Sequence, residues 1–307
     1  MNAPIVIFTY NRVSHIENLI ESLRKDPLSL ESDLIVFSDG PKDSEDNIKV
    51  TKVRKYIHKI ISNEYFKSVE LVCSERNKGL ANSVISGVDL ILNKFEKVIV
   101  IEDDNIVSNS FLTFMNKGLE YYKDDTKIFT IGGYTAPFET PCDYKNDIFF
   151  VQRISSYAWA TWKDRWDKID WQVKSYEKFK HNFLKRKQFN AYGNDRSIML
   201  DKQMLGMINS WAIRYEFSMF EEKMYCVLPS VSLIKPCGND GSGTHSSKTI
   251  NTFDIDLVDN VDDFVLSKFE YSSSVQKKFS KLFRHPISRR MAFFTIFNIL
   301  KIDWRKS

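Results

Sequence analysis

The feature that most constrains this chain is a short apolar run ending in three consecutive acidic residues, KVIVIEDDN at residues 97–105. Apolar runs of this length that are rich in Val and Ile are typical of a strand buried on both faces of a sheet. In open α/β sheets, ligands bind in the crevice beyond the carboxyl ends of the strands. We therefore expect Glu102, Asp103 and Asp104 to lie at a ligand site.

The three adjacent carboxylates predict a bound cation. Carboxylates this close repel one another unless a positive charge neutralises them. Mg2+ is held in proteins by one or two carboxylates together with phosphate oxygens of the substrate. A site for a metal ion and a diphosphate is therefore one interpretation. The alternative is a solvated acidic turn in which Asp103 or Asp104 caps the helix that follows.

Strand and helix patterns alternate four times before residue 125. This alternation predicts βαβ units and an α/β fold with a mostly parallel sheet and helices on both faces. No GxGxxG and no GxxxxGK[ST] follows the first strand, which weighs against a dinucleotide site and a P-loop. The predicted strands are 5–9, 33–38, 68–73, 97–101 and 128–131, and the predicted helices are 13–23, 46–62, 80–91 and 110–122.

Cysteine usage and the N-terminal sequence indicate a cytoplasmic protein. The four cysteines (Cys73, Cys142, Cys226 and Cys237) are scattered without CxxC pairs, which argues against a zinc site or a disulfide framework. No basic stretch followed by an apolar stretch precedes the first strand, so we expect no signal peptide. The length of 307 residues allows one large α/β domain or two smaller domains.

Aromatic residues crowd together in two later stretches, 157–166 and 210–215. Core packing is the ordinary role of tryptophan. A sugar-binding wall is the alternative, because the apolar face of a pyranose stacks on aromatic rings while polar neighbours bind its hydroxyls. On this alternative Trp159, Trp211 and Arg214 are the candidate sugar-binding residues.

The C-terminal residues 271–307 have a distinct composition. Residues 272–307 carry nine Lys or Arg and one Asp, whereas the rest of the chain carries 35 basic and 39 acidic residues. The apolar run 291–300 is too short to span a bilayer. A basic and apolar segment is typical of one that lies on an anionic membrane surface. A helix packed on the domain or on a second subunit is the alternative. The acidic body makes nucleic acid an improbable partner.

The order of the motifs resembles the nucleotide-sugar half of GT-A glycosyltransferases. The motifs are TYNR at 9–12, SDG at 38–40, NKGLAN at 77–82 and EDD at 102–104. The EDD form is similar to that of N-acetylglucosaminyltransferase I. The stretches WATWKDRW at 159–166, SWAIR at 210–214 and GNDGSGTH at 238–245 are similar to bacterial family 2-type transferases of surface-polysaccharide clusters. The resemblance covers residues 3 to 250.

The resemblance implies a GT-A fold with a nucleotide-sugar half at 1–131, an acceptor half at 132–270 and a basic amphipathic tail at 271–307. It also implies residue roles. Asp39 would accept a hydrogen bond from uracil, and Glu102 and Asp103 would position ribose and metal-bound water. Asp104 would bind Mn2+ or Mg2+, and His245 would be a further ligand of the metal or of the phosphate. The residues framing the nucleotide would be Thr9, Asn11, Arg12, Lys78 and Asn82.

The implied reaction is the inverting transfer of a sugar from a UDP-sugar to a glycan or lipid-linked glycan acceptor in bacterial surface-polysaccharide synthesis. The tail would meet the inner face of the cytoplasmic membrane. Inversion requires a base for the acceptor hydroxyl, yet Asn209 stands where we expect an acid before SWAIR. Asp240 is then the first candidate, followed by Asp201 and Glu216.

Two other functions stay open at this point. A sugar-1-phosphate nucleotidyltransferase would need a glycine-rich loop directly after the first strand, where residues 8–12 contain no glycine. A non-catalytic module that binds a glycan or a nucleotide is favoured by Asn209, because an amide cannot act as a general base.

Overall fold

The computed structural model describes residues 1–138, 140–142, 144–238, 255–261 and 263–284. These residues form ten strands, ten α-helices and two short 3-10 helices. The strands are β1 (Ile5–Thr9), β2 (Asp33–Ser38), β3 (Ser68–Cys73), β4 (Lys97–Glu102), β5 (Asn105–Val107), β6 (Ile128–Gly132), β7 (Ile148–Val151), β8 (Ala158–Trp162), β9 (Tyr225–Pro229) and β10 (Ile234–Pro236). The helices are α1 (Val13–Leu23), α2 (Ser44–Ile61), α3 (Leu80–Leu92), α4 (Phe111–Tyr121), α5 (Lys163–Trp166), α6 (Tyr176–Lys180), α7 (Phe183–Phe189), α8 (Arg196–Met204), α9 (Trp211–Glu221) and α10 (Ser273–Leu282).

An eight-stranded sheet in the order β3-β2-β1-β4-β8-β6-β9-β7 forms the centre of the fold. Six of its strands run in one direction, and β8 and β7 run in the other. The predicted α/β class with a mostly parallel sheet is therefore confirmed. The elements predicted before residue 132 are present, with ends shifted by one or two residues. Helix α2, for example, begins at Ser44 rather than Asp46, because the Asp43 side chain caps it.

Apolar side chains cover both faces of this sheet. Along β1, Ile5 and Ile7 face one layer and Val6 and Phe8 face the other, as the two-residue period of a strand requires. Helices α1, α2 and α4 pack on the first face, and α3, α9 and α10 pack on the second. The buried β4 in the middle of the sheet thereby points its acidic end at the carboxyl edge.

The direction of β8 brings a later part of the chain to the same edge. Strand β8 is antiparallel to β4, and its first residue, Ala158, pairs with Ile101 near the end of β4. The residues that precede β8 therefore lie beside the acidic motif. The backbone N–H of Glu102 donates to the carbonyl of Tyr157 at 3.0 Å.

The two aromatic stretches belong to the core. Trp159 and Trp211 are only 1% and 3% exposed, and their ring centres lie 5.0 Å apart. Trp159 also stacks on Trp166 at 5.8 Å. Protein atoms cover the faces on which a sugar would stack. The prediction that Trp159 and Trp211 bind a sugar is therefore corrected, and core packing is their role.

Helix α10 is part of the domain, although it lies within the predicted tail. Its Val275 and Phe279 are buried, and the Phe279 ring packs edge-on against Phe138 and at a tilt against Phe149. The Lys278 ammonium donates to the carbonyl of Thr140. The boundary expected at residue 271 therefore does not separate α10 from the core. The tail residues 285–307 lie outside the described residues. Among the described helices, none combines the length and the apolar composition that crossing a bilayer requires.

Phe279→Ala tests whether α10 is integral to the fold. Truncating a buried phenylalanine removes apolar contacts and leaves a cavity, so we expect a loss of about 3–5 kcal/mol in the free energy of unfolding by urea. Val265→Ala is the control, because Val265 is 67% exposed and should change stability by less than about 0.5 kcal/mol. Equal effects of the two changes would contradict the packing of α10.

Candidate functional site

The ends of β1 and β4 form the centre of the site. The two strands are parallel neighbours, with Phe8 paired to Glu102, so the residues after each strand meet. The Thr9 hydroxyl donates to Asp103 at 2.7 Å. A single guanidinium nitrogen of Arg12 donates to both Asp103 and Asp104, at 2.9 Å each. Asp103 is therefore buried and occupied by the loop after β1, whereas Asp104 is one-fifth exposed.

The side chains of the other two residues of the TYNR motif contact α2, although the Tyr10 backbone N–H also donates to Asp103 at 3.4 Å. The Tyr10 hydroxyl and the Asn11 amide both donate to the Asp46 carboxylate, with 2.8 Å for Asn11. Burial and the bond to Asp46 raise the pKa of Tyr10. The predicted contact of Asn11 with a nucleotide thus competes with Asp46. The sequence offered no signal for Asp46, which looks like any acid in the first turn of a helix.

The charges at the tip of β4 do not balance. Three carboxylates face one guanidinium, and the Glu102 carboxylate accepts no hydrogen bond from the described part of the chain. Burial, followed by the charges of Asp104 and Asp103, raises the pKa of Glu102 well above its usual range. Burial and the charges of Glu102 and Asp104 also raise the pKa of Tyr157 to about 12. The tip therefore has the electrostatics of a cation site.

The donor set fits a divalent cation that shares its ligands with a substrate. Carboxylate oxygens are the ligands that Mg2+ and Mn2+ prefer. Among the described residues, however, no three Asp, Glu, His or Cys side chains converge on one point. Glu102 and the partly exposed Asp104 carboxylate would hold a metal only together with water or phosphate oxygens.

Asp39 organises the second edge of the crevice, at the end of β2. Its carboxylate accepts from three backbone N–H groups, those of Gly40, Lys78 and Gly79, at 2.9–3.2 Å. These bonds fasten the loop after β3 to the end of β2. They also occupy much of the acceptor capacity that the predicted contact with uracil would use.

The predicted residues Lys78 and Asn82 lie together at the start of α3 and are exposed. The Asn82 amide donates to the Lys78 carbonyl at 2.9 Å. Arg54, which the sequence analysis missed, donates to the carbonyls of Asp39 and Ser74 and so braces the ends of β2 and β3. The crevice is thus bordered by α3 on one side and by the acidic motif on the other.

The chain returns to Asp104 through β10. Strand β10 pairs with β5, and the N–H of Cys237 donates to the Asp104 carbonyl at 2.7 Å. A Cβ atom at Gly238 would lie 2.1 Å from Asp104 Oδ2, so any larger residue there would displace the Asp104 carboxylate. The predicted residues Asp240 and His245 follow Gly238 and lie outside the described residues.

The other candidate bases are engaged elsewhere. Asp201 accepts two hydrogen bonds from Arg186, at 2.9 and 2.7 Å, and one from Tyr176. Glu216 is buried and accepts from Arg196 and from the N–H of Ile154. Because these carboxylates are neutralised by arginines inside the structure, they are poorly placed to take a proton.

Asn209 and Arg214 contact each other. Arg214 donates to the Asn209 side-chain oxygen at 3.1 Å and to the carbonyls of Ser210 and Trp171. Burial lowers the pKa of Arg214. Both side chains therefore fasten the first turn of α9 to the segment before α6.

A cavity of about 360 Å3, which we call the chamber, is lined in part by Tyr157, the residue whose carbonyl accepts from the Glu102 N–H. Residues 102–104 are not in its lining. Pockets of this size are at the lower end of those that hold small ligands. Its aromatic lining includes Tyr134 and Tyr157, whose rings meet edge to face at 4.8 Å. The Ser155 hydroxyl, also in the lining, is buried and has no hydrogen-bond partner within the described ranges. The remaining lining residues are Ala136, Arg153, Ile154, Ser156, Asp195, Leu228, Phe279, Leu282, Phe283 and Arg284.

A buried ion pair closes one side of the chamber. Arg153 donates two hydrogen bonds to Asp195, at 2.9 and 2.8 Å, and its guanidinium lies 3.8 Å from the centre of the Phe283 ring. Burial alone would raise the pKa of Asp195, but Arg153 outweighs it and lowers that pKa. The sequence analysis missed this pair, because its members are 42 residues apart and nothing local marks either one.

Comparisons with known proteins give structural relatives only. No family model matches this sequence, and no curated protein matches it. The mannosyltransferase PcManGT from Pyrobaculum calidifontis, solved with GDP-Man and Mn2+, aligns with 12% identity and a TM-score of 0.38 over 53% of this chain and 45% of that chain. S. aureus TarS 1-349 aligns with 12% identity and a TM-score of 0.44 over 78% of this chain and 61% of that chain.

Full-length S. aureus TarS aligns with 11% identity and a TM-score of 0.42 over 78% of this chain and 37% of that chain. This chain thus spans less than two thirds of the length of each of these structures. At these TM-scores and identities the alignments carry no argument about the activity or substrate of this chain.

Glu102→Gln tests the excess negative charge. Folding raises the pKa of this carboxyl above its ordinary value of 4.5. The carboxyl therefore lowers the stability of the fold as the pH rises from 4.5 toward the pKa of the folded state. Without metal at neutral pH, we expect the variant to exceed the wild type in free energy of unfolding by more than the ~0.5 kcal/mol typical of surface changes. The difference should vanish near pH ~4. The exposed control Glu75→Gln should be neutral, and a destabilised Glu102→Gln protein would contradict the charge imbalance.

Proposed function

We propose that this chain is a metal-dependent, inverting glycosyltransferase that uses a UDP-sugar. The observation that carries the proposal is the uncompensated carboxylate cluster at the tip of β4, with Arg12 against it and the chamber beside it. A nucleoside diphosphate needs both a cation and a guanidinium, and a sugar needs an adjoining pocket with aromatic and hydroxyl groups. This edge of the sheet carries carboxylates that would hold the cation, the Arg12 guanidinium, and the aromatic and hydroxyl groups of the chamber.

Each residue of the cluster has a distinct part in binding the diphosphate. Asp104 and Glu102 would hold Mn2+ or Mg2+, and Asp103 keeps Arg12 and the β1 loop in place through its hydrogen bonds. Arg12 would exchange its contact with Asp104 for a phosphate oxygen, a stronger partner for bidentate donation. When bound, the metal ion supplies Lewis-acid stabilisation of the UDP leaving group.

The chamber is the proposed site of the transferred sugar. The half-buried ring of Tyr157 offers an apolar face for a pyranose, and the buried Tyr134 packs edge to face against it. The Ser155 hydroxyl, which has no hydrogen-bond partner among the described residues, offers a hydrogen bond to a sugar hydroxyl. Tyr157 thus takes the place of the buried tryptophans as the proposed aromatic contact for the sugar.

The base that deprotonates the acceptor hydroxyl is proposed to be Asp240, which follows two residues after Gly238. Among the described acids, Asp195 lines the chamber, but both of its oxygens accept from Arg153. Asp201 and Glu216 are similarly bound by arginines. The geometry therefore favours an acid beyond the described residues, and His245 remains a proposed metal or phosphate ligand from the same stretch.

The proposed acceptor is a glycan or a lipid-linked glycan in surface-polysaccharide synthesis, reached at the inner face of the cytoplasmic membrane. The net charge of residues 272–307 supports contact with an anionic surface.

A sugar-1-phosphate nucleotidyltransferase is disfavoured, since Thr9 and Arg12 turn inward to Asp103 rather than forming a glycine-rich phosphate loop. A non-catalytic binding module is the second candidate, favoured by Asn209.

Thermal unfolding with nucleotides tests the proposal. UDP, GDP, CDP and dTDP are each added with and without Mn2+. A ligand at a hundred times its dissociation constant stabilises the folded state by about 2.7 kcal/mol, which raises Tm by several degrees. We expect such a rise with UDP only when Mn2+ is present. No rise with any nucleotide would refute both the transferase and the nucleotide-binding module.

Asp104→Asn tests the role of the metal ligand. Replacing the carboxylate removes a charged ligand, so we expect loss of the Mn2+-dependent rise in Tm. Release of UDP from a UDP-sugar should fall at least about a hundredfold, because metal stabilisation of the leaving group is worth several kcal/mol. The exposed Asp124→Asn is the matched control. Binding of UDP without any turnover in the wild type would instead favour the non-catalytic module.

A further inference from the structure

A second segment of the chain, residues 173–189, combines exposed apolar side chains with exposed lysines. Phe183 and Leu184, the first two residues of α7, are 77% and 70% exposed. The exposed lysines around them in the chain are Lys174, Lys178, Lys180 and Lys187. We call these six residues the basic patch. The patch plays no part in the site described above.

The chain around the patch is held firmly, so the exposure of its apolar residues is a property of the fold. The Asn182 side chain caps α7 by accepting from the N–H of Lys185 at 2.9 Å. Lys185 pairs with Glu221 of α9 at 2.7 Å, and Arg186 pairs with Asp201 of α8. These two ion pairs orient α7 and leave Phe183 and Leu184 directed away from the protein.

Buried aromatic residues anchor the same segment from the inside. Tyr176, Phe179 and Phe189 pack in a small cluster with Phe217 of α9. The ring centres of Phe179 and Phe189 lie 5.6 Å apart, and that of Phe217 lies within 5.4 Å of both. Residues 173–189 thus already bury one apolar face, and Phe183 and Leu184 are additional apolar residues that the fold itself does not use.

The charge of the segment is strongly positive. Residues 173–188 carry six Lys or Arg and a single acid, Glu177. Lys185 and Arg186 have acidic partners, whereas the four lysines of the basic patch extend into solvent. Positive charge concentrated around two protruding apolar side chains attracts anionic headgroups and lets the apolar groups enter the interface.

We propose that the basic patch docks the protein on an anionic lipid bilayer. Clusters of four to eight Lys or Arg beside apolar residues bind acidic lipids, and each basic residue near the membrane surface adds to the affinity. Exposed apolar residues that stand alone are ordinary, as Leu30 and Ile48 are, whereas Phe183 and Leu184 are adjacent and lie in a lysine-rich segment. The patch offers isolated protruding side chains among long, solvated lysines, which suits a fluid headgroup layer.

Vesicle binding by the full chain tests this surface. The wild type and the double variant Phe183→Ser/Leu184→Ser are sedimented with vesicles of phosphatidylcholine and phosphatidylglycerol, and with phosphatidylcholine alone. We expect the wild type to bind only the anionic vesicles. The double variant should bind at least about tenfold more weakly, because two apolar groups no longer enter the interface.

A charge variant separates electrostatic from apolar binding. The triple change Lys178→Gln/Lys180→Gln/Lys187→Gln should weaken binding to anionic vesicles by about a hundredfold and flatten its dependence on salt. The matched controls lie on exposed positions elsewhere: Leu30→Ser/Ile48→Ser for the apolar change and Lys52→Gln/Lys55→Gln/Lys59→Gln for the charge change. The controls should bind as the wild type does.

Two outcomes would overturn the proposal. Wild-type binding that survives both patch variants would assign membrane contact to residues outside the patch, such as 285–307. Absence of binding to anionic vesicles would exclude a bilayer, and a protein partner would then be the remaining explanation of Phe183 and Leu184. Neither outcome bears on nucleotide binding, because the Tm measurement with UDP and Mn2+ uses no lipid.

Discussion

The Arg12 guanidinium is the interaction on which the site depends. One of its nitrogens donates to Asp103 and to Asp104, which joins the loop after β1 to the tip of β4. Without a positive charge here, three carboxylates at the end of a buried strand would repel one another and lose hydration. Arg12 offsets only part of that negative charge. The pKa of Glu102 is therefore raised by burial and by the charges of Asp104 and Asp103. The fold therefore holds together a cluster that is still short of positive charge, which is the condition for binding a cation and a phosphate.

Hydrogen bonds at the ends of the strands position the crevice on either side of this cluster. Asp39 gathers three backbone N–H groups at the end of β2, and Gly238 brings the chain after β10 against Asp104. The antiparallel β8 delivers Tyr157 to the same edge, where its carbonyl accepts from the Glu102 N–H. Strands of both directions thus contribute loops to one edge, and the chamber lies where these loops meet α10.

Local patterns explain which parts of this arrangement could be predicted. Apolar periodicity and β-branched runs lie within single elements, so the sequence alone predicted β1 to β4, β6 and α1 to α4. The pairing of β8 between β4 and β6 depends on contacts distant in sequence, and Ala158–Trp162 carries no local sign of its neighbours. For the same reason the sequence placed Trp159 and Trp211 on a sugar-binding wall. Asp46 and the Arg153–Asp195 pair were missed because each becomes distinctive only through its partner.

The anomalous scattering of Mn2+ in crystals grown with UDP tests the central claim most directly, because it locates the metal without reference to activity. The account predicts a peak at the carboxylates of Asp104 and Glu102 beside the diphosphate, with the Arg12 guanidinium moved from Asp104 to a phosphate oxygen. Crystals containing bound UDP but no manganese peak at the tip of β4, with Arg12 still between Asp103 and Asp104, would contradict it.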